Sequence, residues 1–395
     1  MSSEQPIYIV SAQRSAIGTF GGTLKNTSAA EILTPIMQDA IAKSGVSADV
    51  IDTTVLGNVI HTTAIDPYLA RKCSVDAGIS HNATAYAINR LCGSSLQAII
   101  NVVMAIRLGD SEIGLAAGVE HMSGAPHILP DLRFGNKMGN STTTDMLLAP
   151  LTDPFGHGHM GITAENVAKK FNISRDEMDE FAAESHRRAA MATDTGYFTA
   201  QITPLTLKVR RKDVVFATDE HFRRDIDANQ FADLRPAFDA QGIVTAGNSS
   251  GINDGAAALV LACEDAMKTA GAQPLARIVA YGHSGVDPAI MGIGPVAASQ
   301  QALARAGLSI DDLDVVESNE AFAAQACAVN HELGLDPAKV NPNGGAIALG
   351  HPIGATGAII ATKLVHELQR INGRYGLATM CIGGGQGVAL IIERV

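Results

Sequence analysis

Two cysteines, a histidine and an asparagine in this 395-residue chain stand in surroundings that could turn them to chemistry. Cys92 lies in Asn89-Arg90-Leu91-Cys92-Gly93-Ser94-Ser95-Leu96-Gln97-Ala98, where small residues lead from a turn into an apolar helix. Unpaired N–H groups and the macrodipole favour an anion at a helix start, so a thiol there is expected to have a lowered pKa and to act as a nucleophile. A buried structural cysteine, the commoner use of the residue, fits the same local pattern.

His351 lies in Asn343-Gly344-Gly345-Ala346-Ile347-Ala348-Leu349-Gly350-His351-Pro352-Ile353-Gly354-Ala355-Thr356-Gly357. Glycines on both sides of the His-Pro pair let backbone and ligand come close to the imidazole, and Pro352 fixes the direction of exit. A neutral imidazole is the natural base for a cysteine. Cys381 ends an apolar run and is followed by Ile382-Gly383-Gly384-Gly385-Gln386-Gly387. That arrangement offers a second acid/base beside a loop of exposed N–H donors for an oxyanion. A dinucleotide-binding loop is the competing reading, but these glycines join strand to strand, with no helix start and no ribose-binding acid downstream. Asn319, in Ser318-Asn319-Glu320-Ala321-Phe322-Ala323-Ala324-Gln325, places an amide at the end of a predicted strand.

The elements that must position these groups occur twice. Ser44-Gly45-Val46, the acidic turn Asp49 to Asp52 and the strand Val55 to Asn58 are echoed by Ala306-Gly307-Leu308, Asp311 to Asp314 and Val315 to Asn319. The helix around Ala98-Ile99-Ile100 matches that around Ala358-Ile359-Ile360, and Ala116-Ala117-Gly118 matches Ala378-Thr379-Met380, these pairs lying roughly 260 residues apart. Gly251 to Leu261 likewise resembles Ile382 to Ile392. Two similar α/β halves follow, each expected to hold a mostly parallel sheet fed by crossover helices. Only the first half is interrupted. From about 121 to 250 the chain is polar and punctuated by Gly, Asp and Thr, with one helical region expected from Thr163 to about Ala192 and a helix start at Ser174-Arg175-Asp176-Glu177. Insertions on a rigid scaffold commonly carry substrate recognition.

Composition narrows the function. A net charge of −11 and the absence of Trp argue against nucleic acid. The local basic stretch Lys208, Arg210, Arg211 and Lys212 reads either as a solvated edge or as an attractor of phosphate. Five cysteines without paired or metal-like spacing suggest reduced thiols. The opening Met1 to Pro6 lacks the pattern of a secretory or mitochondrial leader, and Glu393-Arg394-Val395 is not the peroxisomal tripeptide, so a cytoplasmic setting is expected. No run is expected to span a membrane, and the apolar stretch near 256–262 reads as a buried strand.

Taken together, the Cys92, Asn319, Gly-His351-Pro and Cys381-Ile-Gly-Gly-Gly-Gln-Gly segments occur in an order that resembles the thiolase family, from Arg14-Ser15-Ala16-Ile17-Gly18 to the end of the chain. His159-Met160-Gly161 before Thr163-Ala164-Glu165-Asn166 is similar to the bacterial biosynthetic β-ketothiolases. The resemblance implies two duplicated βαβαβαββ halves in a five-layered αβαβα arrangement plus an inserted loop domain. The expected boundaries are 1–121 with 252–273, then 122–251, then 274–395. It implies reversible Claisen condensation of two acyl-CoA units, chiefly acetyl-CoA, through an acyl-cysteine intermediate. Coenzyme A and acyl-CoA would be substrates, with no permanently bound cofactor and no metal.

By resemblance, Cys92 is the acylated nucleophile, His351 takes its proton, and Cys381 exchanges the α-proton of the second acyl-CoA. His351 and a water on Asn319 hold the enolate, while the N–H groups of Cys92 and Gly383 stabilise the tetrahedral intermediate. His159, Met160, Phe238, Ala246 and Ser250 are expected along the CoA path, with Met291, Ala321 and Phe322, and Arg223 at the nucleotide end beside Arg224. Met160 and Met291 over the pocket are expected to favour short acyl units. Ser95 stands where the family usually has glycine, so its hydroxymethyl reaches either the acyl pocket or a helix end; Gln230 stands where a small hydroxyl residue is common. The family assembles as dimers and often as dimers of dimers, so a homodimer or homotetramer is expected, with Arg133 to Met138 as a candidate assembly loop. A ketosynthase-type enzyme would pair its cysteine with two histidines, and a noncatalytic CoA or lipid carrier would have no use for both cysteines.

Overall fold

The computed structural model describes residues 5–395; the opening segment Met1 to Glu4 lies outside the described residues. The first half consists of β1 (Ile7–Arg14), α1 (Ala29–Ser44), β2 (Thr53–Gly57), α2 (Leu69–Asp76), β3 (Thr84–Ile88), α3 (Ser94–Leu108) and β4 (Ile113–His121). An inserted stretch contains α4 (Met160–Phe171) and α5 (Arg175–Asp194), and β5 (Asn253–Cys263) closes the half. The second half repeats the order, with a single parallel bridge of Val340 to Val316 in place of a strand matching β3, as β6 (Ala276–Gly285), α6 (Gly294–Ala306), β7 (Val315–Ser318), α7 (Ala323–Leu333), α8 (Thr356–Ile371), β8 (Tyr375–Ile382) and β9 (Gln386–Arg394). Local chemistry sets these limits. Ser28 and Glu31 form a capping box that starts α1, and Gly45, at φ 74°, ends it in the left-handed conformation glycine adopts without strain.

The strands run in the order β7-β8-β9-β6-β1-β5-β4-β2-β3, and the halves join where Tyr8 pairs with Arg277 and Ile9 with Ala276. The sheets are mixed, which corrects the expectation of mostly parallel pairing. β4-β2 and β2-β3 are parallel, as is β7-β8, whereas β1-β5, β5-β4, β6-β9 and β8-β9 are antiparallel. A three-residue glycine turn joins β8 to β9, and so short a link permits only an antiparallel hairpin.

Between the two sheets lie α3 and α8, packed on each other. α1 and α2 cover the first sheet from outside, and α6 and α7 lie beyond the second. This is the five-layered arrangement. Burial of most of α3, apart from the exposed Met104 and Leu108 toward its end, explains its composition. Leu91–Leu108 is long and apolar enough to cross a membrane by length and composition alone, contrary to the expectation that no run would be. In the fold that apolarity meets sheet on both faces, as a helix at the centre of a large domain requires.

The helical region expected near 163–192 holds two helices, the second beginning at the expected Ser174 start. Asn172, at φ 56°, ends α4, and the Ser174 hydroxyl accepts the Glu177 N–H at 3.2 Å to start α5. The insertion is pinned to β1 by the fully buried Arg14, which forks onto Asp219 at 2.8 and 3.0 Å and reaches Gln201 at 2.7 Å. The basic stretch forms a separate hairpin, Leu205–Val209 with Lys212–Phe216, whose two turn residues Arg210 and Arg211 both have positive φ.

Candidate active site

The nucleophile segment is wound tightly. Leu91 has φ 47°, a conformation that costs a side-chain-bearing residue energy, and Ser94 Oγ ties the turn by accepting from Arg90 N (2.8 Å) and donating to Leu91 O (2.6 Å). This turn presents Cys92, half-buried, just before α3. The backbone N–H groups of Gly383 and of Cys92 itself are directed at the Cys92 sulfur. One donor therefore comes from each half of the molecule. The expectation of a lowered thiol pKa is overturned: burial pushes Cys92 up to about 11 against those donors, with the Glu120 charge adding to the rise. Removing the thiolate from water outweighs the helix start.

His351 is buried, and burial depresses its pKa to about 4, so it is neutral near pH 7. Its Nδ1 lies 2.6 Å from Thr356 Oγ1, which donates its only proton to Pro352 O at 2.9 Å. The hydroxyl must therefore accept from His351 Nδ1–H, which leaves a lone pair on Nε2. Nε2 is buried and has no hydrogen-bond partner. The His351 loop hangs on the first half: His351 N donates to Asn253 Oδ1 (3.0 Å), Gly354 N to Glu120 Oε2 (2.8 Å), and Ala358 N to Ser95 Oγ (2.9 Å).

Cys381, at the end of β8, is fully buried, and burial together with the neighbouring Cys92 charge raises its pKa strongly. Asn319 follows β7 directly, and both atoms of its buried side-chain amide lack partners. Leaving such groups unpaired costs about 1–3 kcal/mol each, an arrangement characteristic of functional positions.

Cys92, His351 and Gly383 line one cavity of about 550 Å³, and all nine residues expected along the CoA path line it too: His159, Met160, Arg223, Phe238, Ala246, Ser250, Met291, Ala321 and Phe322. Asn319 and Cys381 are not in its wall. Asn319 faces a separate pocket of about 10 Å³, room for about one water, and Cys381 packs in an apolar cluster with Met160, Met291 and Phe322.

The wall has local causes. His159 caps α4 by accepting the Gly161 N–H (3.1 Å) and stacks on Phe238 at 4.7 Å, and Phe238 meets Phe322 edge-on at 5.9 Å. A Cβ on Gly161 would clash with the Phe238 ring, so the glycine of the His-Met-Gly sequence is a packing requirement. Arg223 lines the cavity, while Arg224 turns to Asp194, which separates the two adjacent arginines. None of Lys208, Arg210, Arg211 or Lys212 lines it. Ser95 does not enter it either, and its hydroxyl caps α8.

His186, His221 and Leu151 also line the cavity, and the sequence reading did not single them out. His186 accepts the Arg223 N–H at Nδ1 (3.1 Å). Its place on a helix beside Arg187 and Arg188 reads as solvated surface, and only the fold brings it to Arg223. Thr356, visible only as a helix opener, was missed for the same reason.

A half-buried cysteine, a neutral histidine with a free lone pair, paired N–H donors and a long apolar cavity define an enzyme that transfers acyl groups through a thioester. The comparisons agree: residues 7–265 match the thiolase N-terminal domain and residues 272–394 the thiolase C-terminal domain, so the chain belongs to the thiolase family. It is 54% identical to the beta-ketothiolase BktB of Cupriavidus necator over 98% of this chain and 99% of that one. It superposes on human mitochondrial 3-ketoacyl-CoA thiolase in complex with CoA with a TM-score of 0.96 and 44% identity, covering 99% and 98% of the two chains. For the Bacillus anthracis acetyl-CoA acetyltransferase the values are 0.97 and 47%, with full coverage of both. The protein is an acetyl-CoA C-acyltransferase that condenses acyl-CoA units reversibly, and the carrier reading falls away.

Proposed function

We propose that Cys92 carries the acyl group, His351 moves its proton and Cys381 serves the α-carbon. The observation that carries this reading is the unpartnered Nε2 of a neutral His351 in the same cavity as Cys92 and the N–H of Gly383. In cleavage, His351 Nε2 takes the Cys92 proton as the sulfur attacks the 3-keto carbon, whose developing oxyanion meets the N–H groups of Cys92 and Gly383. The C2–C3 bond breaks, and acetyl-CoA leaves as an enolate, held by His351 and a water on Asn319 and protonated by Cys381. The incoming CoA thiol returns a proton to Cys381 and attacks the acyl-cysteine, and Cys92 recovers its proton from His351. Condensation is the same path reversed. A thiol kept protonated by burial suits the donation to the enolate, and two cysteines are needed because one is blocked as thioester.

CoA would lie along His159, Phe238, Phe322 and Ser250 with its nucleotide toward Arg223, entering and leaving as substrate, with no cofactor permanently bound. The apolar wall, with Met160 and Met291 near the sulfur, supports short acyl units such as acetyl and propionyl. The five unpaired cysteines suit a reducing compartment, the cytoplasm. An edge at β3 that is unpaired among the described residues, with exposed Tyr86, and the exposed Phe134 and Met138 support assembly as a homodimer or a pair of dimers.

CoA-dependent cleavage of acetoacetyl-CoA tests the roles. Wild type should release acetyl-CoA, and Cys92→Ala should not. Cys381→Ser should still form the acyl-enzyme from acetyl-CoA, seen by mass spectrometry, while turning over at least about a thousandfold more slowly. Acylation lost in Cys381→Ser but kept in Cys92→Ala would reverse the two roles.

A further inference from the structure

The oxyanion donors come from separate halves of the molecule, so their separation depends on how the Cys92 turn of one half registers with the Gly383 loop of the other. One side chain spans that junction. Arg90, two residues before Cys92, directs Nε and Nη2 at Gln386 Oε1 (3.3 and 3.1 Å) and Nη1 at Gln97 Oε1 (2.6 Å) and His283 Nδ1 (3.0 Å). Gln97 is on the nucleophile helix α3, whereas His283 is on β6 and Gln386 is the first residue of β9, immediately after the Gly383–Gly385 turn. Gln386 pairs with Ile382, so the residue gripped by Arg90 closes the hairpin that holds Gly383.

Arg90 is half-buried, yet every partner it has here is neutral. A guanidinium used for charge alone would be paired with a carboxylate; used as a planar fork, it fixes three acceptors in one geometry. Arginine only donates, so His283 must accept at Nδ1. The clamp joins a strained turn, with Leu91 at φ 47°, to a compliant one, in which Gly384 and Gly385 both have positive φ.

We propose that Arg90 is a positioning residue for the reaction, holding the N–H groups of Cys92 and Gly383 in register by clamping Gln386 across the boundary between the halves. The proposal rests on the assignment of those two groups as oxyanion donors. It acts on the rise to the tetrahedral intermediate more than on CoA binding, because none of Arg90, Gln97, His283 and Gln386 lines the cavity.

The test is a cycle of Arg90→Met, Gln386→Ala and the double variant in acetoacetyl-CoA cleavage. Each single change should lower kcat by about tenfold to a hundredfold with KM within about threefold, and single-turnover acylation of Cys92 should slow by the same factor. The double variant should be no worse than the poorer single, since either change opens the clamp. Added guanidinium should restore part of the activity of Arg90→Ala without shifting its melting temperature. Unchanged kcat in Arg90→Met, losses that multiply in the double variant, or loss of activity tracking loss of fold with no rescue would each overturn the proposal. Failure of the underlying reading reports separately: undiminished turnover in Cys92→Ala would remove the nucleophile, and with it the tetrahedral intermediate that the two N–H groups serve.

Discussion

Thr356 decides what His351 can do, although it touches no reacting atom. Its hydroxyl proton is committed to Pro352 O, so the imidazole must carry hydrogen on Nδ1 and keep Nε2 free. Thr356→Val keeps the shape and removes the acceptor, and kcat should fall by about ten- to a hundredfold; Thr356→Ser should restore most of it, whereas a purely steric role would be served by valine. The pH dependence has a definite sign. Burial lowers the His351 pKa from 6.5 to about 4, so the base remains unprotonated as pH falls through 6.5. The acid limb of kcat/KM should therefore lie well below pH 6.5 in wild type, and an acid limb centred at 6.5 or above would contradict a buried neutral base. Cys92 carries the complementary lesson. Its place at a helix start is legible in the sequence, but the sign of its pKa shift is not, since burial is decided by residues far away in the chain.

At the scale of elements, α3 and α8 face each other in the central layer, and each opens beside a residue proposed for catalysis, Cys92 and His351. Ser95, on the first turn of α3, gives its oxygen to Ala358 N–H on the first turn of α8, so one helix caps the other. Ser95→Ala would leave that N–H with only its longer bond to Ala355 O (3.1 Å), at a cost of about 0.5–1.5 kcal/mol. The denaturant midpoint should fall accordingly, while the acyl chain-length profile of the enzyme stays unchanged because Ser95 is outside the cavity. A changed chain-length profile would return Ser95 to the acyl pocket. Glu120 makes the same connection by a different route, accepting from Val59 N, Ile60 N and Gly354 N and so joining the loop after β2 to the His351 loop.

For the whole molecule, the exposed surface carries the remaining expectations. Among the described residues the β3 edge has no paired strand beyond it, and an uncovered strand edge invites pairing with a second copy. Phe134 and Met138, exposed to 93% and 91%, stand on a loop that takes no part in the cavity wall. Burying either side chain in a second interface is worth about 1.5–3 kcal/mol. Phe134→Ser with Met138→Ser should therefore convert a tetramer to a dimer in light scattering, with acetoacetyl-CoA cleavage per subunit nearly unchanged. A tetramer that survives both changes would move the second interface elsewhere.

Much of this was legible in the residues. The duplication, the helix start behind Cys92, the glycine loop after Cys381 and the strand end before Asn319 are local patterns, and short-range sterics and hydrogen bonding fix them wherever the chain folds. The sequence also marked α5 correctly at Ser174, but did not mark the end of α4, because a single Asn at φ 56° leaves too weak a trace to announce a break. Strand direction away from the β8–β9 hairpin, the cross-half capping by Ser95, the Arg90 clamp and the meeting of His186 with Arg223 were decided only by tertiary structure. Each depends on groups separated by tens to hundreds of residues, and their encounter is set by how two sheets close over a pair of buried helices, which no local window records.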